Sequence, residues 1–407
     1  MASAMKLVFV TNLYPPHLLG GYERLCALVR DELTRRGHRV TVLTSDHGVG
    51  PGGEGHGGDG GGVVRRLHLT TPFDRPADHG RLARWRTTSY NRRVARALLE
   101  AEQPDLVFVW SQLRLTLGAS LAARDLGLPV AYTFNDEHPI GYAAPPVALR
   151  PRGGARFVLD RAFLRRLTWA PLDLAHATCI SASLRERLVA GGVPVGHARV
   201  IYQCVPDEHR FLPRDDLGGL HDPARVLFLG QLLDYKGVHT LVEAVGRLLA
   251  AGRRVELTVA GTGPEAYAAR LRALAAPFAA HVRFTGAVAP GDLPRVYRAH
   301  DVFAFPSLGV EAFGLTFLEA MACGLPVVAS TGGGHAEALV DGGNALTFPP
   351  EDPAALAASL ERLLSDPDLR LRLASAGLAT VRERFTTERY VNELEGFLDD
   401  ALRASRG

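Results

Sequence analysis

Glu311-Ala-Phe-Gly-Leu-Thr-Phe-Leu-Glu319, running on into Ala320-Met-Ala-Cys-Gly-Leu-Pro-Val-Val328, is the stretch that decides the fold. The apolar run Val302-Phe-Ala-Phe305, then Pro306 and Ser307, precedes it. The order is a strand, a loop carrying one carboxylate, a glycine-led helix start, a second carboxylate inside the helix, and another strand at 326–329. Two apolar strands joined by a helix make a βαβ unit, and such units build parallel sheets. At the helix start the amides of Phe313, Gly314, Leu315 and Thr316 have no intrahelical acceptor and suit phosphate or sugar oxygens. Glu311 lies ahead of the helix, in reach of a ligand over that end. Glu319 lies one turn along, where a carboxylate accepts well from a pair of hydroxyls.

The same alternation extends through most of the chain. β-Branched runs predict strands at 6–11, 39–44, 63–69, 105–110, 129–134, 174–179 and 198–202, with helices at 22–36, 80–101, 114–126 and 181–191 between them. The pattern then restarts. Strands at 225–230, 254–260, 281–285, 301–305 and 326–329 alternate with helices at 237–251, 264–275, 291–299 and 315–323. Two Rossmann-like units in series follow, the joint falling near 203–224, where Pro206, Pro213, Gly218, Gly219 and Pro223 interrupt regular structure. A chain of 407 residues suits two domains better than one. The glycine-rich stretch 48–62 reads as a mobile surface loop. Residues 145–172 combine six arginines with Phe157, Leu159, Phe163 and Trp169, and from about 156 fit a basic amphipathic helix or a solvated helix packed on the domain.

Composition narrows the function. No apolar run approaches the ~20 residues of a membrane span, and no signal-peptide pattern follows Met1. Cys26, Cys179, Cys204 and Cys323 stand singly, without zinc spacing. Buried thiols in a reducing cytoplasm are the expectation, with no metal and no nucleic acid as partner. Residues 1–200 hold 26 Lys+Arg against 17 Asp+Glu, a balance of +9, and the rest carries −6, which together give the net +3. A basic first half suits an anionic acceptor or peripheral contact with the inner membrane face; Arg-rich solvated helices give the same count.

Lys6 and Lys236 are the only lysines, so a lysine at a motif position stands out. In Phe228-Leu-Gly-Gln-Leu-Leu-Asp-Tyr-Lys236-Gly237, Lys236 is expected to begin a helix after a strand. A cation placed there suits an anionic ligand such as a phosphate. In the first unit, strand 6–11 runs into Asn12-Leu-Tyr-Pro-Pro-His-Leu-Leu-Gly20-Gly21-Tyr22. Paired glycines before a helix let backbone approach a phosphate closely, yet no G-x-G-x-x-G dinucleotide fingerprint is present. Tyr132-Thr-Phe-Asn135-Asp136-Glu137-His138 ends another strand. Asp136 is the first candidate there for contact with a polar ligand, with Glu137 and His138 next, and Trp110 borders the same region.

Taken together, these segments resemble the retaining GT-B glycosyltransferases with the paired-glutamate E-x₇-E motif, glycosyltransferase family 4 or "group 1", over nearly the whole chain in order. That group includes sucrose and glycogen synthases. The resemblance implies an α/β GT-B architecture of two Rossmann-like domains facing across a cleft. Residues 1–205 would bind acceptor and 206–386 nucleotide sugar, with 387–407 crossing back onto the first domain. It implies that Glu311 contacts the transferred sugar, Glu319 holds the ribose, and Lys236 with the 313–316 amides holds the diphosphate. Gly261, in Gly-Thr-Gly-Pro, resembles the loop near the donor, and Val288 the segment whose backbone reads the base. Gly20 and Gly21 resemble the loop that closes over the diphosphate, with Tyr22 on the acceptor side. Two departures stand out: Gln231 replaces the arginine usually found five residues before the lysine, and Asn135 replaces a histidine that faces the reacting sugar. The implied reaction is metal-independent transfer, with retention, from a nucleotide diphosphate sugar to a small-molecule, saccharide or lipid-linked acceptor, without a cofactor. A nucleotide-sugar binder without transfer activity, a sugar phosphorylase or epimerase, and a Rossmann oxidoreductase using Asp46 remain as alternatives.

Overall fold

The computed structural model describes residues 4–49, 62–73, 80–143, 167–309 and 311–406. It divides into two units, Met1–Ile201 with Val391–Gly407, and Tyr202–Tyr390. The first holds a seven-stranded sheet in the order β3-β2-β1-β4-β5-β6-β7. Its strands are β1 Lys6–Val10, β2 Arg39–Ser45, β3 Val63–Leu67, β4 Leu106–Val109, β5 Val130–Phe134, β6 Ala177–Cys179 and β7 Arg199–Val200. All pairs are parallel. Helices α1 Gly21–Arg35, α2 Arg81–Glu102, α3 Gly118–Asp125 and α4 Ala182–Ala190 connect them. β4 is buried along its whole length, as a parallel strand covered on both faces must be.

The second unit holds a parallel six-stranded sheet, β10-β9-β8-β11-β12-β13. Here β8 is Ala224–Leu229, β9 Val255–Ala260, β10 Val282–Gly286, β11 Val302–Phe305, β12 Val327–Ser330 and β13 Leu346–Phe348. Between and after them come α5 Val238–Ala250, α6 Glu265–Ala275, α7 Leu293–Arg298, α8 Thr316–Ala322, α9 Pro353–Ser365 and α10 Pro367–Arg384. Val226, Phe228, Leu241, Val245, Val259 and Leu360 belong to its buried core. Asp352 and Asp366 cap α9 and α10 through their carboxylates, each followed by a proline whose missing N–H costs nothing in the first turn.

The last helix, α11 Thr387–Arg406, belongs to the first unit from Val391 onward. Glu395 accepts from Arg36 and sits 3.0 Å from His38 Nε2, while Arg199 pairs with Asp400 at 2.7 Å and Arg406 with Asp105 at 2.9 Å. His38 Nδ1 accepts from Met5 N at 3.0 Å, so its proton sits on Nε2, facing Glu395.

The structure corrects some boundaries. The helix expected from 114 begins at Gly118 because Arg114 and Thr116 have φ of 62° and 65°, which no right-handed helix accepts. Of the glycine-rich stretch only 48, 49 and 62 are described, and residues 145–166 of the basic segment lie outside the described residues. Its described aromatic, Trp169, is buried and donates to Pro139 O at 2.8 Å. Among the described residues no helix is long and apolar enough to cross a membrane.

Candidate active site

In open parallel sheets ligands sit beyond the carboxyl ends of the strands, where the strand order reverses. That point lies between β8 and β11 in one unit and between β1 and β4 in the other.

In the second unit β8 runs into a 3-10 turn, Asp234–Lys236, and α5 starts only at Val238. Lys236 therefore precedes the helix rather than opening it. Gly237 has φ 65°, and a Cβ there would stand 1.9 Å from Pro306 O. Only glycine lets this turn press against the segment leaving β11, and Leu308 N donates to Tyr235 O at 2.7 Å across the same contact. The result is an ion pair: Lys236 Nζ donates to Glu311 Oε2, with the two side chains 15% and 12% exposed. Ser307 Oγ donates to that same oxygen at 3.4 Å. The ammonium also lies 5.2 Å from the Tyr235 ring centre and 5.9 Å from that of Phe305.

Beyond Glu311, Gly314 has φ 91°, and a Cβ there would meet the Phe305 ring at 2.7 Å. Phe313 is fully buried between Tyr202, Phe317 and Phe385, so only its backbone is left to serve a ligand. Leu315 and Thr316, half-buried, start α8. Glu319 is 3% exposed and accepts from Tyr297 Oη at 2.8 Å. Gly261, at φ 143°, would bring a Cβ within 1.7 Å of Gly230 O, so packing between the β8 and β9 loops is enough to require it. Gln231 is exposed beside that contact, and half-buried Val288 follows β10, two strands from β8.

In the first unit Gly20 caps α1 in an extended conformation and donates its N–H to Glu23 Oε2 at 3.0 Å. A Cβ there would meet nothing nearer than 3.9 Å, so neither backbone nor packing demands glycine. Gly21 is the first helical residue. Three hydrogen bonds join the ends of β1, β4 and β5: Asn12 Nδ2 to Tyr22 Oη at 2.9 Å, Trp110 Nε1 to Tyr22 O at 3.1 Å, and Asn135 Nδ2 to Trp110 O at 2.9 Å. Asp136 Oδ1 accepts from His138 N at 2.8 Å, and burial pushes its carboxyl up to about 6. The structure does not bring Glu137 to this group; its carboxylate pairs with Arg187. His138 Nε2 lies 3.2 Å from Tyr142 Oη.

Sequence reasoning missed a cavity of about 620 Å³ beyond β2 and β3, whose lining includes Asp46, His47, His68, Arg86 and Tyr90. His68 stacks on Tyr90 at 3.6 Å and lies 3.3 Å from Asp46. Tyr297, Ser330 and His335 also escaped notice. Tyr297 reaches Glu319 across 22 residues and Ser330 reaches Ser307 across 23, which leaves no local pattern. Among the described residues no group of three or more His, Cys, Asp or Glu side chains is placed to share a metal.

Comparison with known proteins agrees with this architecture. Residues 19–209 match the family described as Glycosyltransferase Family 4, and residues 214–379 match Glycosyl transferases group 1. A GDP-mannose-dependent alpha-(1-6)-phosphatidylinositol monomannoside mannosyltransferase of Mycobacterium tuberculosis is 31% identical over 295 residues, 65% of this chain and 76% of the relative. An uncharacterized glycosyltransferase of Methanocaldococcus jannaschii is 25% identical over 401 residues, 96% of each chain. Among solved structures, sucrose-phosphate synthase from Thermosynechococcus elongatus superposes with a TM-score of 0.75 at 21% identity, over 98% of this chain and 100% of the other. Anabaena HepE in complex with UDP and glucose gives 0.69 at 20% identity, over 97% and 99%.

Proposed function

Because the chain belongs to the group 1 glycosyltransferases, with the GT-B fold of its structural neighbours, we propose that it moves a sugar, with retention and without a metal, from a nucleotide diphosphate sugar to an acceptor nucleophile. The observation that carries this reading is the Lys236–Glu311 pair beyond the β8–β11 reversal. In this reading the diphosphate takes the ammonium as its counter-ion, and Glu311 turns its freed oxygen to the hydroxyls of the transferred sugar. α8 is a seven-residue helix, so its dipole is a modest aid and the charge on Lys236 matters more. The amides at 313–316 supplement it, and Glu319, oriented by Tyr297, holds the ribose diol.

The acceptor belongs on the first unit. Gly20 lacks any internal reason to be glycine, which supports a role in admitting a ligand. Asp136, flanked by Asn135, Trp110 and Tyr22, faces the acceptor hydroxyl or the transferred sugar. The cavity lined by Asp46, His68, Arg86 and Tyr90 gives a polar, partly aromatic seat to the rest of the acceptor, which suits a saccharide or polyol. Peripheral membrane contact through the basic first half remains part of the proposal for a lipid-linked acceptor.

A thermal-shift panel of UDP-, GDP-, ADP- and dTDP-sugars tests the donor site. The correct donor at 100 times Kd stabilises by about 2.7 kcal/mol, and the shift disappears in Lys236→Ala. Transfer that persists in EDTA and a product keeping the donor's anomeric configuration test the finer statements. Stabilisation by no nucleotide sugar refutes the donor site, and binding without transfer to any acceptor leaves a binding protein.

A further inference from the structure

We infer that His335, on the turn after β12, is a positioning residue for transfer: acting through Ser330 and Ser307, it sets Glu311 against Lys236. This rests on the role given to Glu311 above. Two routes connect the turn to that glutamate. Along the backbone, Gly334 N donates to Glu311 O at 2.8 Å, and Gly333, at φ 71°, packs so closely that a Cβ would stand 2.9 Å from the same oxygen. Along the side chains, His335 Nε2 lies 2.8 Å from Ser330 O and 3.4 Å from Ser330 Oγ. Ser330 Oγ gives its proton to Ser307 O, and Ser307 Oγ donates to Glu311 Oε2, the oxygen that Lys236 holds. Both neighbours of Nε2 are acceptors, so that nitrogen carries the proton.

Packing alone does not account for a histidine here. The ring has no exposed surface and meets the Phe305 ring at 4.8 Å between centres. Its Nδ1 is buried without a partner, a desolvation cost that an apolar side chain would avoid. What the imidazole offers and Leu or Phe does not is the N–H that ties its turn to Ser330 at the end of β12, whose hydroxyl in turn bonds the loop after β11. Burial lowers the pKa of the ring, opposed by its bond to Ser330 O and by Glu311, while Lys236 lowers it further, so the imidazole is a neutral donor at pH 7.

The test compares His335→Leu, which keeps bulk and loses the donor, with His335→Gln, whose amide donates from a similar reach. The expectation for Leu is a fall in kcat of about tenfold or more with donor KM within about twofold, and recovery of most of that loss in Gln. The second readout needs no activity: the coupling between Lys236 and Glu311, from a double-mutant cycle in urea, falls by about half in the Leu background and returns with Gln. Ser330→Ala removes the next link and serves if His335→Leu does not fold. Unchanged kcat and coupling in the Leu variant, a Gln variant no better than Leu, or a loss confined to KM overturns the inference. A wild type that transfers no sugar, yet shows the coupling lost with Leu and regained with Gln, refutes the functional reading and leaves the positioning role standing.

Discussion

Replacing Lys236 by Met separates what the ion pair does for stability from what it does for chemistry. Two opposite charges about 4 Å apart attract by roughly 4 kcal/mol at an effective dielectric near 20, most of which dehydration cancels. The side chains are 15% and 12% exposed, between a surface pair worth about 0–1 kcal/mol and a buried one whose breakage costs about 3–5. Loss of about 2 kcal/mol is expected for Lys236→Met, because Glu311 keeps Ser307 but loses its counter-charge. Adding Glu311→Gln removes the uncompensated carboxylate and returns about half of that loss or more. Turnover stays down by about 10²-fold or more in both. Trp85, Trp110 and Trp169 all lie in the first unit, so fluorescence follows the wrong half, and amide hydrogen exchange in 202–390 is the measurement to use. A double variant no more stable than Lys236→Met alone would refute the reasoning.

Three further substitutions test the geometry. Asp136 ionises near pH 6; if its carboxylate makes the substrate contact, activity rises with pH through 6, and Asp136→Asn abolishes that inflection in kcat/KM. The same raised pKa means that this group favours the folded state below pH 4 and loses that contribution as pH climbs through 6, so Asp136→Asn flattens this part of the stability profile. Glu395 behaves oppositely. Burial raises its pKa, but the hydrogen bonds and charges of His38 and Arg36 together more than reverse that, so its contribution is present above the ordinary glutamate range and lost as pH falls; Glu395→Gln lowers the melting temperature at pH 7 more than at pH 3. Gly237→Ala costs about 1–2 kcal/mol for the left-handed backbone alone, plus the clash with Pro306 O; wild-type stability in urea would show that the turn is not pressed against the β11 loop.

The parallel sheets were legible because their strands are short buried runs of Val, Leu and Phe set off by glycine and proline. Residues 330–384 carry no strand or helix expectation, although Asp352-Pro353 and Asp366-Pro367 are each a cap followed by a first-turn proline. α10 buries Arg370 and Gly377 on its inner face and exposes Leu371 on its outer one, which blurs the period that an amphipathic helix shows. In the site, Glu311 and Lys236 were found by residue type and position, but their pairing was not, because it depends on Gly237 fitting against Pro306. Likewise Glu319 was visible and Tyr297 was not, the bond between them spanning 22 residues.

The return of α11 to the first unit bears on how the chain is made. Residues 202–390 form one uninterrupted stretch and can complete their core as soon as they leave the ribosome. The earlier-synthesised half must wait, since Arg36, His38, Asp105 and Arg199 meet their acidic or basic counterparts only when 391–406 emerge. During that interval its nascent surface is open to chaperones, and a fragment cut at 201 would remain in that unfinished state.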